Sequence, residues 1–193
     1  MPCNDHGEMI PAELDKLILE DKANGLHPFF INATAGTTVL GAFDDLNGLA
    51  EVASKHNIWL HVDGAYCGGA IFSDQYKHLL DGLHKTNSFS FNAHKMLGTP
   101  LSCSIIITQD RQHLYDSLSN DASYLYQTDS DDYNLGKTSI QCGRRNDALK
   151  IWSLWKAIGT SDLATMAEHQ FELADTARAY ICLLYTSPSP RDS

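Results

Sequence analysis

The sequence has no long apolar run, no cluster of Lys and Arg, and no basic or apolar leader. A bilayer-spanning helix needs about 20 apolar residues, and nucleic-acid binding needs a basic surface. Here the formal net charge is −10. The first residues, Met1 to His6, lack the basic start and apolar stretch of a signal peptide. We therefore expect a cytoplasmic protein with neither a membrane nor a nucleic-acid partner.

Metal-ligand spacing is also missing from the sequence. The nine histidines form no H-E-x-x-H pair and the five cysteines form no C-x-x-C pair. An odd number of scattered cysteines favours free thiols in a reducing compartment over disulfides or a zinc site. We therefore predict no metal site.

What the sequence does contain is an alternation of apolar strands and helical segments. With 193 residues, 43% hydrophobic and 20% charged, the chain has room for one globular domain with a substantial core. Apolar runs at 28–33, 58–62, 88–91 and 102–108 predict strands. Buried strands separated by helices are typical of a mostly parallel sheet covered on both faces. The predicted fold class is α/β, a three-layer open sheet.

Punctuating residues predict where the helices begin and end. Pro11 suits a helix start and Gly25 a stop, and either Asp44 or Asp45 can cap the next helix. A later helix should close at Gly159 and pack one apolar face into the core, formed by Leu149, Trp152, Trp155 and Ile158. A final helix should run from about residue 162 toward 182, and residues 119–140 should form a long loop.

Two residues at predicted strand ends are candidate catalytic or cofactor-binding residues. Asp63 and Lys95 lie 32 residues apart, each just after a strand. An enzyme that uses pyridoxal phosphate needs a lysine that forms a Schiff base with the cofactor aldehyde. It also needs a carboxylate that keeps the pyridine nitrogen protonated, so that the ring takes up electrons. On spacing alone, a solvated Asp or Lys in a loop is the more common interpretation.

The motifs around these residues narrow the interpretation. The relevant segments are Asn32–Asp44, His61–Tyr66, Asn92–Lys95, Ala122–Tyr126 and Gln141–Arg145. In this order they resemble the group II pyridoxal-phosphate decarboxylases, namely the glutamate, cysteine sulfinate and aspartate decarboxylases, with aromatic amino acid decarboxylases as more distant relatives. The likeness extends over most of the chain.

The resemblance implies a domain assignment. Residues 1–183 would form part of the large, cofactor-binding domain of a fold-type I enzyme. Residues 184–193, which contain Ser-Pro-Ser-Pro, depart from the family pattern and are interpreted as a non-native or disordered tail. The family also implies a homodimer with its site at the subunit interface, and we expect the 193-residue chain alone to be inactive.

The resemblance also assigns cofactor-binding roles. Asp63 would pair with the ring nitrogen, although a helix N-cap is an alternative role for it. Ala65 would pack against one face of the ring, and Thr34 would lie near the ring's 3-oxygen. Asn92 and His94 would lie near the phosphate, with a merely packed histidine as the alternative for His94.

Two residues would carry the reaction itself. Lys95 would hold the cofactor covalently and be displaced by the amino acid. Tyr124, on the predicted loop, matches the family's tyrosine proposed to protonate Cα after carbon dioxide leaves. A surface or packing tyrosine is the alternative, and Tyr126 or Tyr133 are its nearest rivals.

The predicted function is therefore decarboxylation of an acidic amino acid: cysteine sulfinate, glutamate or aspartate. Arg144 and Arg145 lean toward the cysteine sulfinate branch. Gly64 and Ala93 replace the commoner Ala and Pro of the family motifs, which removes no reacting group; Gly64 is expected to loosen the strand end. An aminotransferase or lyase of the same fold, and a non-catalytic pseudoenzyme-like subunit, remain as alternatives.

Overall fold

The computed structural model describes residues 1–119, 135–141 and 143–184. Four helices and four strands make up this part of the chain, together with short 3₁₀ turns. The order is α1 (Pro11–Ala23), β1 (Phe30–Thr34), α2 (Leu46–His56), β2 (Trp59–Gly64), β3 (Ser88–Asn92), β4 (Ser104–Thr108), α3 (Arg111–Leu118) and α4 (Asp147–Leu184). The predicted strands are all present, with boundaries shifted by at most two residues.

The strands form one sheet in the order β1-β2-β3-β4. The first three run parallel, and β4 is antiparallel to β3. The α/β class with a mostly parallel open sheet is confirmed. The short connection 93–103 contains no helix, which antiparallel neighbours do not require.

Alternate residues of the strands form two unlike faces. The covered face is apolar and buried: Ile31, Ala33, Leu60, Val62, Phe89 and Phe91. Helix α2 packs on this face, and α1 packs on α2. The open face consists of the intervening residues, among them Asn32, Thr34, His61, Asp63, Ser90 and Asn92. They are half-buried or exposed, and α3 reaches only the end of this face near Trp59.

The helix boundaries follow local chemistry. Pro11 is the first residue of α1, as predicted. Of the two candidate caps, Asp45 caps α2 by accepting a hydrogen bond from the Gly48 N–H at 3.1 Å. Asn57 ends α2 in the left-handed conformation, with φ of 55°.

Helix α4 is interrupted at Gly159, whose φ is 81°. This confirms the predicted break, but the predicted buried face is wrong in part. Leu149, Trp152 and Trp155 are 53%, 58% and 43% exposed. The side of the helix that packs against the core consists of Ile151, Leu154 and Ile158.

None of the helices in the described residues combines the length and apolar content needed to span a bilayer.

Candidate active site

Three of the predicted cofactor-binding residues meet at one edge of the sheet. Thr34 and Asn92 are the last residues of β1 and β3. Asp63 lies opposite Thr34 in the β1–β2 register and opposite Ser90 in the β2–β3 register. Because parallel strands end at the same edge, all three side chains lie together on the open face. Ligands in open α/β sheets bind at this edge.

Asp63 lies inside β2, one residue before its end, whereas the sequence placed it just past the strand. Its Oδ1 accepts a hydrogen bond from the Ala65 N–H at 2.8 Å. Its carbonyl oxygen accepts another from the Ala35 N–H at 2.8 Å. Among the described residues, Oδ2 has no hydrogen-bond partner. The carboxylate is therefore fixed through one oxygen and offers the other to a ligand.

Gly64 does not loosen the strand end, contrary to our expectation. A Cβ at this position would lie 2.5 Å from the Phe89 ring and 3.1 Å from the Gly68 Cα. Such distances leave no space for a side chain. Gly64 is therefore required for close packing of β2 against β3, which positions Asp63.

Thr34 is held by a residue whose role the sequence did not reveal. Asp44 Oδ2 accepts the Thr34 N–H at 2.7 Å, and Asp44 Oδ1 accepts the Met9 N–H at 2.7 Å. The Asp44 N–H in turn donates to the Thr34 carbonyl at 3.0 Å. Asp44 thus ties the end of β1 to the N-terminal segment, while its neighbour Asp45 caps α2.

Lys95 follows β3 in a tight turn. Its N–H donates to the Asn92 carbonyl at 3.0 Å, and the neighbouring Ala93 and Leu97 are fully buried. The backbone is therefore anchored while the side chain is exposed. The ammonium group has no hydrogen bond or ion pair with any described residue, so its amine is free to react.

The Lys95 side chain lines a cavity of about 490 Å³. Loop 38–43, the turn after β2 and α4 supply its other walls, including Tyr66, Cys67, Met96 and Phe171. Thr34, Asp63 and Asn92 are not among its lining residues. The structure therefore brings the three strand-end residues together and places Lys95 in the adjoining cavity.

His94 is fixed by the loop that precedes β4. Its Nδ1 lies 2.8 Å from the Cys103 nitrogen and 3.0 Å from the Cys103 carbonyl oxygen. Because the backbone N–H can only donate and makes the shorter contact, Nδ1 accepts from it, and Nε2 carries the ring hydrogen in the neutral form. Nε2 has no hydrogen-bond partner among the described residues. This contact agrees with a packed histidine, and it leaves one donor for a ligand; the predicted phosphate contact stays a prediction.

Cys67, which borders the same cavity as Lys95, is an unreactive thiol. Burial raises its pKa to about 11, and it is only 6% exposed. The described cysteines, Cys3, Cys67, Cys103 and Cys182, are all free. No three His, Cys, Asp or Glu side chains of the described residues gather in a way that suits a metal ion.

The residues present fit pyridoxal phosphate by their chemistry. Asp63 offers a free carboxylate oxygen for a protonated ring nitrogen, and Lys95 offers an uncommitted amine for an aldehyde. Ala65, two residues after Asp63, has only a methyl group as its side chain. Tyr124 lies outside the described residues, so its predicted role is not addressed by the structure.

Comparison with known proteins points the same way. A family model described as the pyridoxal-dependent decarboxylase conserved domain matches residues 1–183. A glutamate decarboxylase of Drosophila melanogaster is 43% identical over 177 residues, covering 90% of this chain and 35% of that protein.

Solved structures give a similar picture. Mouse CSAD superimposes with a TM-score of 0.82 at 36% identity, covering 93% of this chain and 37% of that one. Oryza sativa TDC with PLP and tryptamine has a TM-score of 0.78 at 33% identity, covering 83% and 34%. The chain thus spans about a third of the length of the relatives that it matches.

Proposed function

This chain belongs to the pyridoxal-dependent decarboxylase family, and on that premise we propose that the protein decarboxylates an amino acid with pyridoxal phosphate as its cofactor. The observation that carries the proposal is that two uncommitted groups lie at or just after the ends of neighbouring parallel strands. Asp63 keeps one carboxylate oxygen without a partner, and Lys95, just after the next parallel strand, keeps a free amine. If both were ordinary solvated loop residues, Lys95 would not need its anchored backbone and Asp63 would not need its fixed carboxylate.

Pyridoxal phosphate, when bound, supplies a ring that accepts the electrons left by carbon dioxide. Asp63 would hold a hydrogen on the ring nitrogen, because a carboxylate favours the charged form of a neighbouring base. Lys95 would bind the aldehyde carbon, and Ala65 would leave room for the ring. Thr34, Asn92 and His94 would supply polar contacts, with His94 donating through Nε2.

We propose an acidic amino acid as the substrate: cysteine sulfinate, glutamate or aspartate. The similarity to a glutamate decarboxylase and to mouse CSAD supports this class. Arg144 and Arg145, directly before α4, favour cysteine sulfinate within it. Carbon dioxide release measured with each of the three acids, and with an aromatic amino acid as the comparison, tests the assignment. Preference for the aromatic acid would overturn it.

Tyr124 is proposed as the donor of the proton that Cα receives after decarboxylation. Removing its hydroxyl in Tyr124→Phe should preserve cofactor and substrate binding. Carbon dioxide should still be released, but amine product should fall, and aldehyde and pyridoxamine phosphate should appear in its place in equal amounts. Tyr126→Phe is the matched control. Normal amine product from Tyr124→Phe would remove this residue from the reaction.

The whole protein is proposed to be a homodimer that acts in the cytoplasm, as is expected from its family. Sedimentation of the purified protein tests the dimer. Mixing two variants that do not form the normal amine product, one substituted at Lys95 and one at Tyr124, tests whether the subunits share sites. Recovery of amine formation on mixing requires that Tyr124 of one subunit serve the site of the other.

The cofactor assignment is tested by borohydride reduction of the protein expressed from its complete reading frame. Reduction fixes the cofactor to its lysine, and peptide mass spectrometry should find the pyridoxyl group on the peptide that contains Lys95. Lys95→Arg keeps the charge and should abolish the label, while Lys85→Arg, a control in a 3₁₀ turn before β3, should retain it.

The outcomes separate the alternative functions. Label on Lys85 or Lys137 would overturn the role of Lys95, and no label at all would favour a non-catalytic subunit. Label on Lys95 with transfer of the amino group to a keto acid, and no carbon dioxide, would favour an aminotransferase of the same fold.

A further inference from the structure

A strip of polar side chains crosses the open face from β2 to β3 beside Asp63. His61 lies two residues before Asp63 and therefore on the same face. Its Nδ1 is 2.8 Å from the Ser88 Oγ, and its Nε2 is 3.2 Å from the Ser90 Oγ. Ser90 is the residue whose Cα pairs with that of Asp63. The imidazole is therefore held by the neighbouring strand, and one of its two anchors is the cross-strand neighbour of Asp63.

The direction of the hydrogen bonds along this strip follows from Trp59, the residue farthest from Asp63. Trp59 Nε1, which can only donate, lies 2.9 Å from the Ser88 Oγ. When Ser88 accepts this bond, its own hydrogen is free for His61 Nδ1. The Nε2–H of His61 then donates to Ser90. In this order Ser88 and His61 each donate one bond and accept one, and the Ser90 hydroxyl hydrogen is left uncommitted.

The charge of His61 fits a supporting role. Burial lowers the pKa of the His61 imidazole, and the charge of Asp63 offsets this only in part. Around His61, β1 contributes the Phe30 ring, stacked with a centroid distance of 6.0 Å. Helix α3 contributes His113, which packs edge-on against Trp59. A neutral imidazole orients its neighbours without neutralising Asp63, so the carboxylate keeps its charge for a ligand.

We propose that His61 is a positioning residue for Asp63 and acts through Ser90. The Ala65 N–H, just after β2, fixes one oxygen of the carboxylate. The strip of Trp59, His61, Ser88 and Ser90 joins β2 to β3 and holds Ser90, the residue that pairs with Asp63. Asp63 would thereby present its second oxygen to the ring nitrogen of the cofactor. The inference rests on the proposed function, since it concerns how tightly and in what state pyridoxal phosphate is held.

Two substitutions break the strip at different points in the protein expressed from its complete reading frame. His61→Phe keeps an aromatic ring stacked on Phe30 but removes both nitrogens. Ser90→Ala removes only the link toward Asp63. Phe30→Leu is the matched control, because it removes the ring contact and leaves every hydrogen bond of the strip.

The measurements are the dissociation constant for pyridoxal phosphate, obtained by titrating the cofactor-free protein, and the absorption maximum of the bound cofactor across a pH series. His61→Phe and Ser90→Ala should each weaken binding on the order of tenfold, as removal of groups that support a ligand-binding side chain does. Both should shift the absorption maximum and its pH dependence, because the charge on the ring nitrogen alters the electron distribution of the ring and the pKa of the imine. His61→Gln, which restores a donor toward Ser90, should recover part of the loss.

Several outcomes would overturn the inference. One is unchanged affinity and absorption in both variants. Another is weaker binding that is accompanied by a matching fall in the unfolding midpoint of the cofactor-free protein, with no change in the absorption maximum. That result would indicate a structural role. If His61→Phe does not fold, Ser90→Ala carries the test alone. Failure of the unsubstituted protein to take up pyridoxal phosphate on Lys95 would overturn the proposed function instead.

Discussion

The covered and open faces of strand β2 are formed by alternate residues of one six-residue strand, yet they serve different purposes. Leu60 and Val62 are 1% and 0% exposed and pack beneath α2. His61 and Asp63, which alternate with them, remain half-buried and make polar contacts. One face contributes apolar burial to the free energy of folding, and the other carries the residues proposed to bind the cofactor.

This arrangement makes the chemistry depend on strand register. A shift of one residue would exchange the two faces and bury Asp63 among apolar side chains. Gly64 opposes such a shift, because a Cβ in its place would lie 2.5 Å from the Phe89 ring. The close approach at Gly64 therefore helps to keep Asp63 on the open face of the sheet.

The largest expected effect falls on the open face. Asp63→Asn keeps the shape and the acceptor for the Ala65 N–H, but it removes the charge that faces the cofactor. Decarboxylation should fall about 10²–10³-fold, as it does when one preorganised electrostatic partner is lost. The free energy of unfolding of the cofactor-free protein should not change, as measured by chemical denaturation.

Asp45→Asn is the matched control for that experiment. Asn caps a helix as well as Asp does, and Asp45 lies away from the sheet edge at the start of α2. This variant should keep full activity. Equal activity of Asp63→Asn and Asp45→Asn would show that the open face does not carry the chemistry.

The opposite result is expected on the covered face. Leu60→Ala should lower the free energy of unfolding by about 3 kcal/mol, because it leaves a cavity in a close-packed core. Asn32→Ala, an exposed position on the open face of β1, should change it by less than about 0.5 kcal/mol. Urea denaturation of both variants measures the difference. Similar losses would mean that the two faces contribute equally to stability.

The sheet was predictable from sequence because its strands are short apolar runs between helical segments. The runs at 28–33 and 102–108 anticipated β1 and β4 to within two residues. The antiparallel direction of β4 was not anticipated. Strand direction depends on the path of the connection 93–103, and residue type alone does not encode that path.

The site was predictable only to the level of its motifs. Asp63 and Lys95 stood out through the residues around them, but the partners that hold the site did not. Asp44 joins the Met9 and Thr34 backbones, which are 25 residues apart in sequence. No local pattern distinguishes that role from the capping role of Asp45 beside it.

The first half of α4 shows a different limit of sequence reasoning. This helix is apolar on more than one side, so its periodicity fits two buried faces equally well. Ile151 and Leu154 pack on the core, whereas Trp152 and Trp155 are exposed. Only the position of the helix relative to the rest of the fold decides between them.

A smaller effect is expected at Thr99, a buried polar residue in the connection between β3 and β4. Its Oγ1 is the one buried side-chain oxygen or nitrogen of the described residues without a hydrogen-bond partner. Thr99→Val has nearly the same shape and removes this unsatisfied group, so it should raise the free energy of unfolding by about 1 kcal/mol.

Thr86→Val provides the matched comparison for Thr99. Thr86 is equally buried, at 3% against 4% exposure, but its Oγ1 donates to the Leu83 carbonyl at 2.8 Å. This substitution should therefore destabilise the protein by about 1 kcal/mol. The two midpoints of chemical denaturation should move in opposite directions. A loss of stability in Thr99→Val would reveal a partner for its hydroxyl.

The smallest effect is expected in the layer outside the covered face, where α1 meets α2. Asp15 accepts hydrogen bonds from Lys55 Nζ at 2.8 Å and from His56 Nε2 at 2.6 Å. These bonds, that of Lys55 first, hold the pKa of Asp15 below its ordinary 3.8. A carboxylate with a lowered pKa stabilises the fold above its unfolded-state pKa and loses that contribution as the pH falls through the folded-state value.

Below about pH 4, the unfolding midpoint of Asp15→Asn should therefore fall less steeply with decreasing pH than that of the unsubstituted protein. Near neutral pH, the dependence of the midpoint on pH should be the same in both. The effect should be small because solvent screens such a pair. Asp74 is the control: the Lys77 ammonium lowers its pKa too, but its side chain is 95% exposed, so Asp74→Asn should not alter the acid slope. Midpoints at a series of pH values measure both. An equal change in the two variants would mean that the Asp15 contact adds nothing beyond a surface ion pair, and that packing alone joins α1 to the covered side of the sheet.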